Sequence, residues 1–190
     1  MIEKEGIQKY LSRISREDDQ QSFQAIFDMY FERLLNFSIS YVKQSEVAED
    51  ILADVFVRLW ENRKKLENIE NFDAYVFTSV KNQSLKHIQK KQRQSGKALD
   101  EEYLHQDLID NYTPEAEYEF EELSRNFNAA VEELPDQCRR AFQLVKQQKL
   151  KYKEVAEILG VSIKTVDAHV VKAVKRLSAT FIGLRPKKRS

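Results

Sequence analysis

From Phe23 onward the apolar residues of this chain recur at steps of three and four, a period that commits it to helices packed through one face each. Phe23, Ile26, Phe27, Tyr30, Phe31, Leu34 and Leu35 line one side of a helix running to about Val42. Ile51, Leu52, Val55, Phe56, Leu59 and Trp60 repeat the pattern from about Val47 to Trp60, with Ser45 as the expected N-cap. NRKKLENIEN, Asn62 to Asn71, breaks the period and reads as a loop or frayed turn. A third helix, about Asp73 to Arg93, opens among aromatics (Phe72, Tyr75, Phe77) and closes in lysines. With only 4 Gly, 3 Pro and no strand alternation over the first 95 residues, the fold class is all-α.

Gly96 and Pro114 bracket a polar, weakly periodic segment, and a helical pattern resumes beyond it with Phe120, Leu123, Phe127, Ala130, Val131 and Leu134. Pro135 suits the first turn of a further helix carrying Phe142, Leu144 and Val145. The expected layout is two small helical domains, 1–95 and 115–184, a flexible acidic linker, 96–114, and a basic tail, 185–190. The net charge of +0 conceals strong segregation. Lys81 to Lys97 holds six basic residues and no acid, Asp100 to Glu122 ten acids and no Lys or Arg, and Gln137 to the end fourteen basic residues against three acids. Two basic stretches around an acidic one suggest two polyanion-binding surfaces.

The sharpest local motif is KYKEVAEILGVSIKTVDAHVVKAVKRL, Lys151 to Leu177. Val155, Ala156, Ile158 and Leu159 give a short helix that stops at Gly160, a residue able to take the left-handed conformation of a helix end. Ser162 is the next N-cap, with Val161 and Val166 spaced as a hydrophobic staple. The second helix is expected to bury Ile163, Val166, Val170, Ala173 or Val174, and Leu177. Two helices joined in this way form the DNA-reading helix-turn-helix, whose second helix enters the major groove. Its exposed face then carries Lys164, Thr165, Asp167, Ala168, His169, Lys172, Lys175 and Arg176. Ser162 and the residues after it lie near base edges, while Lys172, Lys175, Arg176, Tyr152 and Lys153 suit phosphates. Asp167 either accepts from a cytosine amino group or pairs with a lysine, and His169 is either a DNA contact or a surface histidine.

Other classes of function find little support. The single Cys138 excludes an internal disulfide and a cysteine-based metal site. No nucleophile arrangement, metal-ligand spacing or phosphate loop is visible, so neither an enzyme nor a cofactor or small-molecule substrate is expected. MIEKEGIQKY lacks the apolar core of a signal peptide, and no apolar run reaches membrane length, which predicts a cytoplasmic protein.

AEDILADVFVRLW, Ala48 to Trp60, closely resembles the polymerase-binding helix of sigma factors in the sigma-70 family. FDAYVFTSVKNQSLKHIQKKQR, Phe72 to Arg93, is similar to that family's promoter-melting and minus-ten-reading helix. LPDQCRRAF, Leu134 to Phe142, with the helix-turn-helix after it, resembles the minus-35-binding domain. The absence of a long insert matches the compact extracytoplasmic-function group. The resemblance implies a sigma-2-like domain, a sigma-4-like domain, and core RNA polymerase and promoter DNA, duplex and single-stranded, as partners. An anti-sigma factor is typical of the group.

Through the resemblance, Glu49, Asp50, Ala53, Asp54 and Arg58 meet the clamp helices of the polymerase largest subunit; Asp50 and Asp54 are otherwise two solvated acids. Ala53 departs from the polar residue usual there. Asn71, Phe72, Tyr75, Lys81, Asn82, Lys86, His87 and Lys90 handle minus-ten DNA. Phe72, Tyr75 and Asn82, beside the loop Glu67 to Asn71, are expected to hold an unstacked base, with Tyr75 either platform or core. Thr78 and Ser79 stand where primary sigma factors carry a tryptophan pair, which shifts base capture toward the loop. A transcriptional regulator of the response-regulator type is the competing reading, because its helix-turn-helix looks much the same.

Overall fold

The computed structural model describes residues 4–95 and 126–182. The chain divides into two compact units, Met1–His105 and Gln106–Ser190, both helical in every described element. The expected linker 96–114, the tail 185–190, Phe120 and Leu123 lie outside the described residues. No helix among the described residues is long and apolar enough to cross a membrane.

The first unit contains α1 (Lys4–Glu17), α2 (Gln20–Val42), α3 (Ser45–Glu61), a 3-10 turn (Arg63–Asn68) and α4 (Phe72–Ser95). α2 is central and packs on α1, α3 and α4. It begins where the Asp19 carboxylate accepts from the Gln21 N–H at 3.0 Å, and ends at Lys43 in a left-handed turn. Leu11, Ile14, Ile26, Tyr30, Leu34, Leu52, Val76, Phe77 and Val80 are wholly enclosed. Aromatic edges knit α2 to α3 and α4: Phe23 meets Phe56 at 6.3 Å and Phe37 meets Phe77 at 5.2 Å, both near perpendicular.

Three features here go beyond the sequence reading or depart from it. α1 is a full helix, although only Ile7, Leu11 and Ile14 mark its buried face, too few to stand out in a polar stretch. Ser45 is not the cap of α3: Gln44 occupies that position, and the Ser45 hydroxyl donates to the Glu49 carboxylate at 3.1 Å instead. The expected loop after Trp60 tightens into the 3-10 turn because Leu66 is buried beneath it.

The second unit begins with helical residues 126–132 (α5), followed by α6 (Asp136–Phe142), which runs into a π-turn over Gln143–Gln147. Then come α7 (Tyr152–Leu159) and α8 (Ile163–Ile182). Pro135 caps α6 from just outside, so its missing N–H leaves no helical bond unmade. α8 packs on α6 and α7 around Ala130, Val131, Leu134, Cys138, Phe142, Ala173 and Leu177. Ile163 departs from expectation: it is 51% exposed, while Val166 in the same first turn of α8 is fully buried. Of the pair Ala173 and Val174, Ala173 is the buried one.

Candidate functional site

α7 stops as its glycine dictates. Gly160 sits at φ 72° and ψ 37°, and the Ala156 carbonyl accepts from the N–H groups of Gly160 at 2.9 Å and Val161 at 3.0 Å. Ser162 then caps α8, its Oγ accepting from the Thr165 N–H at 3.0 Å. Val166, Val170, Ala173 and Leu177 face the core, which leaves Lys164, Asp167, Ala168, Lys172, Lys175 and Arg176 exposed. Thr165 is half-buried, with its hydroxyl 2.8 Å from that of Ser162. His169 is half-buried as well, and its Nδ1 lies 3.7 Å from Cys138 Sγ on α6. Tyr152, half-buried, and Lys153, exposed, open α7, where the Glu154 carboxylate accepts from the Lys151 N–H at 2.8 Å.

The C-terminal basic excess is smaller at the surface than in the sequence. Arg139 is buried: it donates to the Glu132 carbonyl at 2.7 Å and the Glu132 carboxylate at 3.0 Å, and also holds Asp136. It secures the end of α5 and is not available to a polyanion. Arg140 pairs with Asp136 at 3.2 Å.

On α4, Tyr75, Ser79, Asn82, Lys86, Lys90 and Arg93 follow one another at steps of three and four and form a single stripe. Tyr75 is 42% exposed, so its ring stands at the surface and not in the core. Asn71 caps the helix, its Oδ1 accepting from the Ala74 N–H at 3.2 Å. Three expected DNA residues fall away from the stripe. Phe72 is only 5% exposed, with Tyr30 edge-on at 5.2 Å; it cannot serve as a stacking platform without being unpacked from the core. Lys81 and His87 are half-buried and stand about 120° to either side of the stripe at 100° per residue. Beneath the helix, Asp73 accepts from the Tyr30 hydroxyl at 3.1 Å and from Arg33 at 3.4 Å. Burial, and then the neighbouring Asp73 charge, push the Tyr30 hydroxyl far above its usual range, so it remains a donor.

On α3, Leu52, Phe56 and Leu59 are buried while Glu49, Asp50, Ala53, Asp54 and Arg58 are exposed. Glu46, Asp50, Asp54 and Glu61 flank Val57, which is 57% exposed. Val57 is missing from the sequence-derived face, although its spacing of seven from Asp50 places it there. An acidic stripe with an apolar centre suits a basic helical partner that also offers an apolar contact.

The family profile for sigma-70 region 2 matches residues 26–94, and that for sigma-70 region 4 matches residues 124–177. Together they span well over half of the chain, one in each unit and in chain order.

The chain belongs to the sigma-70 family.

Relatives of this sigma factor include the RNA polymerase sigma-H factor of Pseudomonas aeruginosa, 21% identical over 179 residues that cover 91% of this chain and 92% of that protein. The ECF RNA polymerase sigma factor EcfG of Rhodopseudomonas palustris is 29% identical over 143 residues, 75% of this chain and 76% of its own. This sigma factor is of that extracytoplasmic-function (ECF) group. Among solved structures, the sigma factor RpoE of Bartonella quintana, in complex with the anti-sigma factor NepR, shares the fold with a TM-score of 0.59. It is 22% identical, and the match covers 89% of this chain and 99% of that one. Because the first unit is region 2 and contains no strand among its described residues, the response-regulator reading is set aside.

Proposed function

We propose that this sigma factor carries core RNA polymerase to promoters and opens the DNA there, with its surfaces divided among three tasks. The acidic stripe of α3 (Glu49, Asp50, Ala53, Asp54, Arg58, with Val57) docks on the clamp helices of the largest polymerase subunit. The α4 stripe and the preceding loop handle the minus-ten element. Holding an unstacked base costs a few kcal/mol, and one aromatic platform returns about 1–3 kcal/mol. Tyr75 supplies that platform, Asn71 and Asn82 supply amides, and Lys86, Lys90 and Arg93 track phosphates. α8 enters the major groove at the minus-35 element with Lys164, Asp167 and Ala168 toward base edges, and Lys172, Lys175 and Arg176 toward phosphates. The domains are 1–95 and 115–184, with 96–114 linking them.

The observation that supports this reading most is the presence of both sigma-70 regions in one chain, each with an exposed, chemically fitting face. By likeness to RpoE, an anti-sigma factor is a further partner. Sigma factors as a family are not enzymes, and this chain acts by binding.

Run-off transcription with bacterial core polymerase and genomic fragments, with and without the protein, tests the proposal. New transcripts with defined start sites are expected. Absence of both transcripts and core binding in gel filtration overturns it.

A further inference from the structure

α1 lies outside the residues matched by the region 2 profile, yet it grips the segment that leads into α4. Three of its side chains converge on one residue, Glu67. Ser15 Oγ accepts from the Glu67 N–H at 3.0 Å, Gln8 Nε2 donates to the Glu67 carbonyl at 2.7 Å, and Arg16 Nε donates to the Glu67 carboxylate at 2.7 Å. The backbone donor, the backbone acceptor and the side-chain charge of Glu67 are therefore all held by the same helix. The Ser15 hydroxyl, itself buried, also donates to the Arg63 carbonyl at 2.6 Å. One hydroxyl thus ties together both ends of a five-residue stretch of the 3-10 turn. A second tie lies at the α1–α2 corner, where Asp18, at φ 54°, takes Arg63 at 2.5 Å and Lys64 at 2.9 Å. Just beyond Glu67, Ile7 and Gln8 of α1 line a shallow surface crease opposite Glu70 to Asp73.

We propose that α1 is a positioning element for promoter opening: Ser15, Gln8 and Arg16 clamp Glu67 and so pre-order the loop 67–71 that receives an unstacked base. The inference rests on the sigma reading given above. Its physical basis is preorganisation. Base capture has to offset the unstacking cost, and a loop that must first be ordered spends part of that gain on its own conformational entropy. A loop already held at its N–H, C=O and carboxylate does not. The ties reach from one helix to a segment about fifty residues away, so they set loop geometry in a way the loop's own sequence cannot.

The test uses holoenzyme assembled from core polymerase and the full chain, on the promoter mapped by run-off transcription. That promoter is prepared as a paired duplex and as a template mismatched across the minus-ten region. Permanganate reactivity of the opened thymines is the readout. Ser15→Ala is expected to lower opening of the duplex about tenfold, as loss of two hydrogen bonds to a buried hydroxyl implies. Its opening on the mismatched template and its core affinity are expected to stay near wild type. Gln8→Ala, at an exposed site that does not support the core, gives the same pattern with a smaller loss and guards against a folding defect in Ser15→Ala. Arg16→Glu lowers opening about threefold, and adding Glu67→Arg restores it. Duplex opening unchanged in the Ser15→Ala, Gln8→Ala double variant overturns the clamp. Equal losses on duplex and mismatched templates also overturn it, because they place the defect outside base capture. Wild-type protein that drives no core-dependent transcription overturns the sigma reading itself, an outcome distinct from active wild type with unaffected variants.

Discussion

Gly160 holds a backbone conformation, φ 72°, that an L side chain takes only at a cost of about 1–2 kcal/mol. Gly160→Ala should therefore destabilise the second unit by about 1 kcal/mol and tilt α8 against α7. Urea unfolding and duplex affinity both report it, and unchanged values would mean that the turn tolerates a side chain. Asp18 and Asp19 make a second point at this scale. Hydrogen bonds from Lys64 and Arg63 lower the Asp18 carboxyl below its ordinary value of 3.8, and a hydrogen bond from the Ser22 hydroxyl does the same for Asp19. Because the folded forms hold their protons less tightly than the unfolded chain, the stabilisation is present above about pH 4. It fades as pH falls through the folded values. Circular dichroism at fixed urea between pH 5 and 2 should show this loss, and Asp18→Asn should make the profile shallower.

At the scale of elements, the faces proposed for binding are those that each helix's core leaves free. On α3 the buried Leu52, Phe56 and Leu59 turn Asp50 and Asp54 outward. Asp50→Lys with Asp54→Lys should abolish core polymerase binding, a loss of more than about a hundredfold, while the helical content is kept, since neither side chain supports the core. Retained affinity in gel filtration would remove α3 as the docking face. On α8, Lys172 is exposed midway along the helix. Lys172→Ala should weaken binding of minus-35 duplex and lower the slope of log affinity against log salt by about one. An unchanged slope would mean that Lys172 meets no phosphate. The same logic explains what was legible beforehand. The acidic face of α3 and the basic face of α8 follow from helical period alone, whereas Phe72 and Ile163 lie at helix starts, where period does not say whether a neighbour covers the side chain.

For the whole molecule, the zero net charge is the sum of separated basic and acidic stretches, so the surfaces proposed to meet DNA are basic in a chain that is neutral overall. Two modest binding surfaces in one chain gain affinity when a scaffold presents both targets at once, through effective concentration and not through new contacts. Core polymerase is that scaffold in the proposed role. The chain alone should therefore retard promoter DNA weakly and with little sequence preference, and addition of core should produce a footprint over both promoter elements. A specific footprint from the chain alone would contradict this and favour a free-standing regulator.

The helical class, the helix-turn-helix and the faces of α3 and α8 are written in local sequence pattern. Those features depend on period, on a glycine able to adopt positive φ and on a serine cap, all of which act within a few residues. Long-range packing is what makes Phe72 core, sets Arg139 against the end of α5, and brings α1 side chains onto Glu67. In the first and third cases the deciding partner lies some forty to sixty residues away, Tyr30 against Phe72 and Gln8 and Ser15 against Glu67, and in the second it is a carbonyl at a helix end. Such partners are brought together by packing, and no local pattern records them.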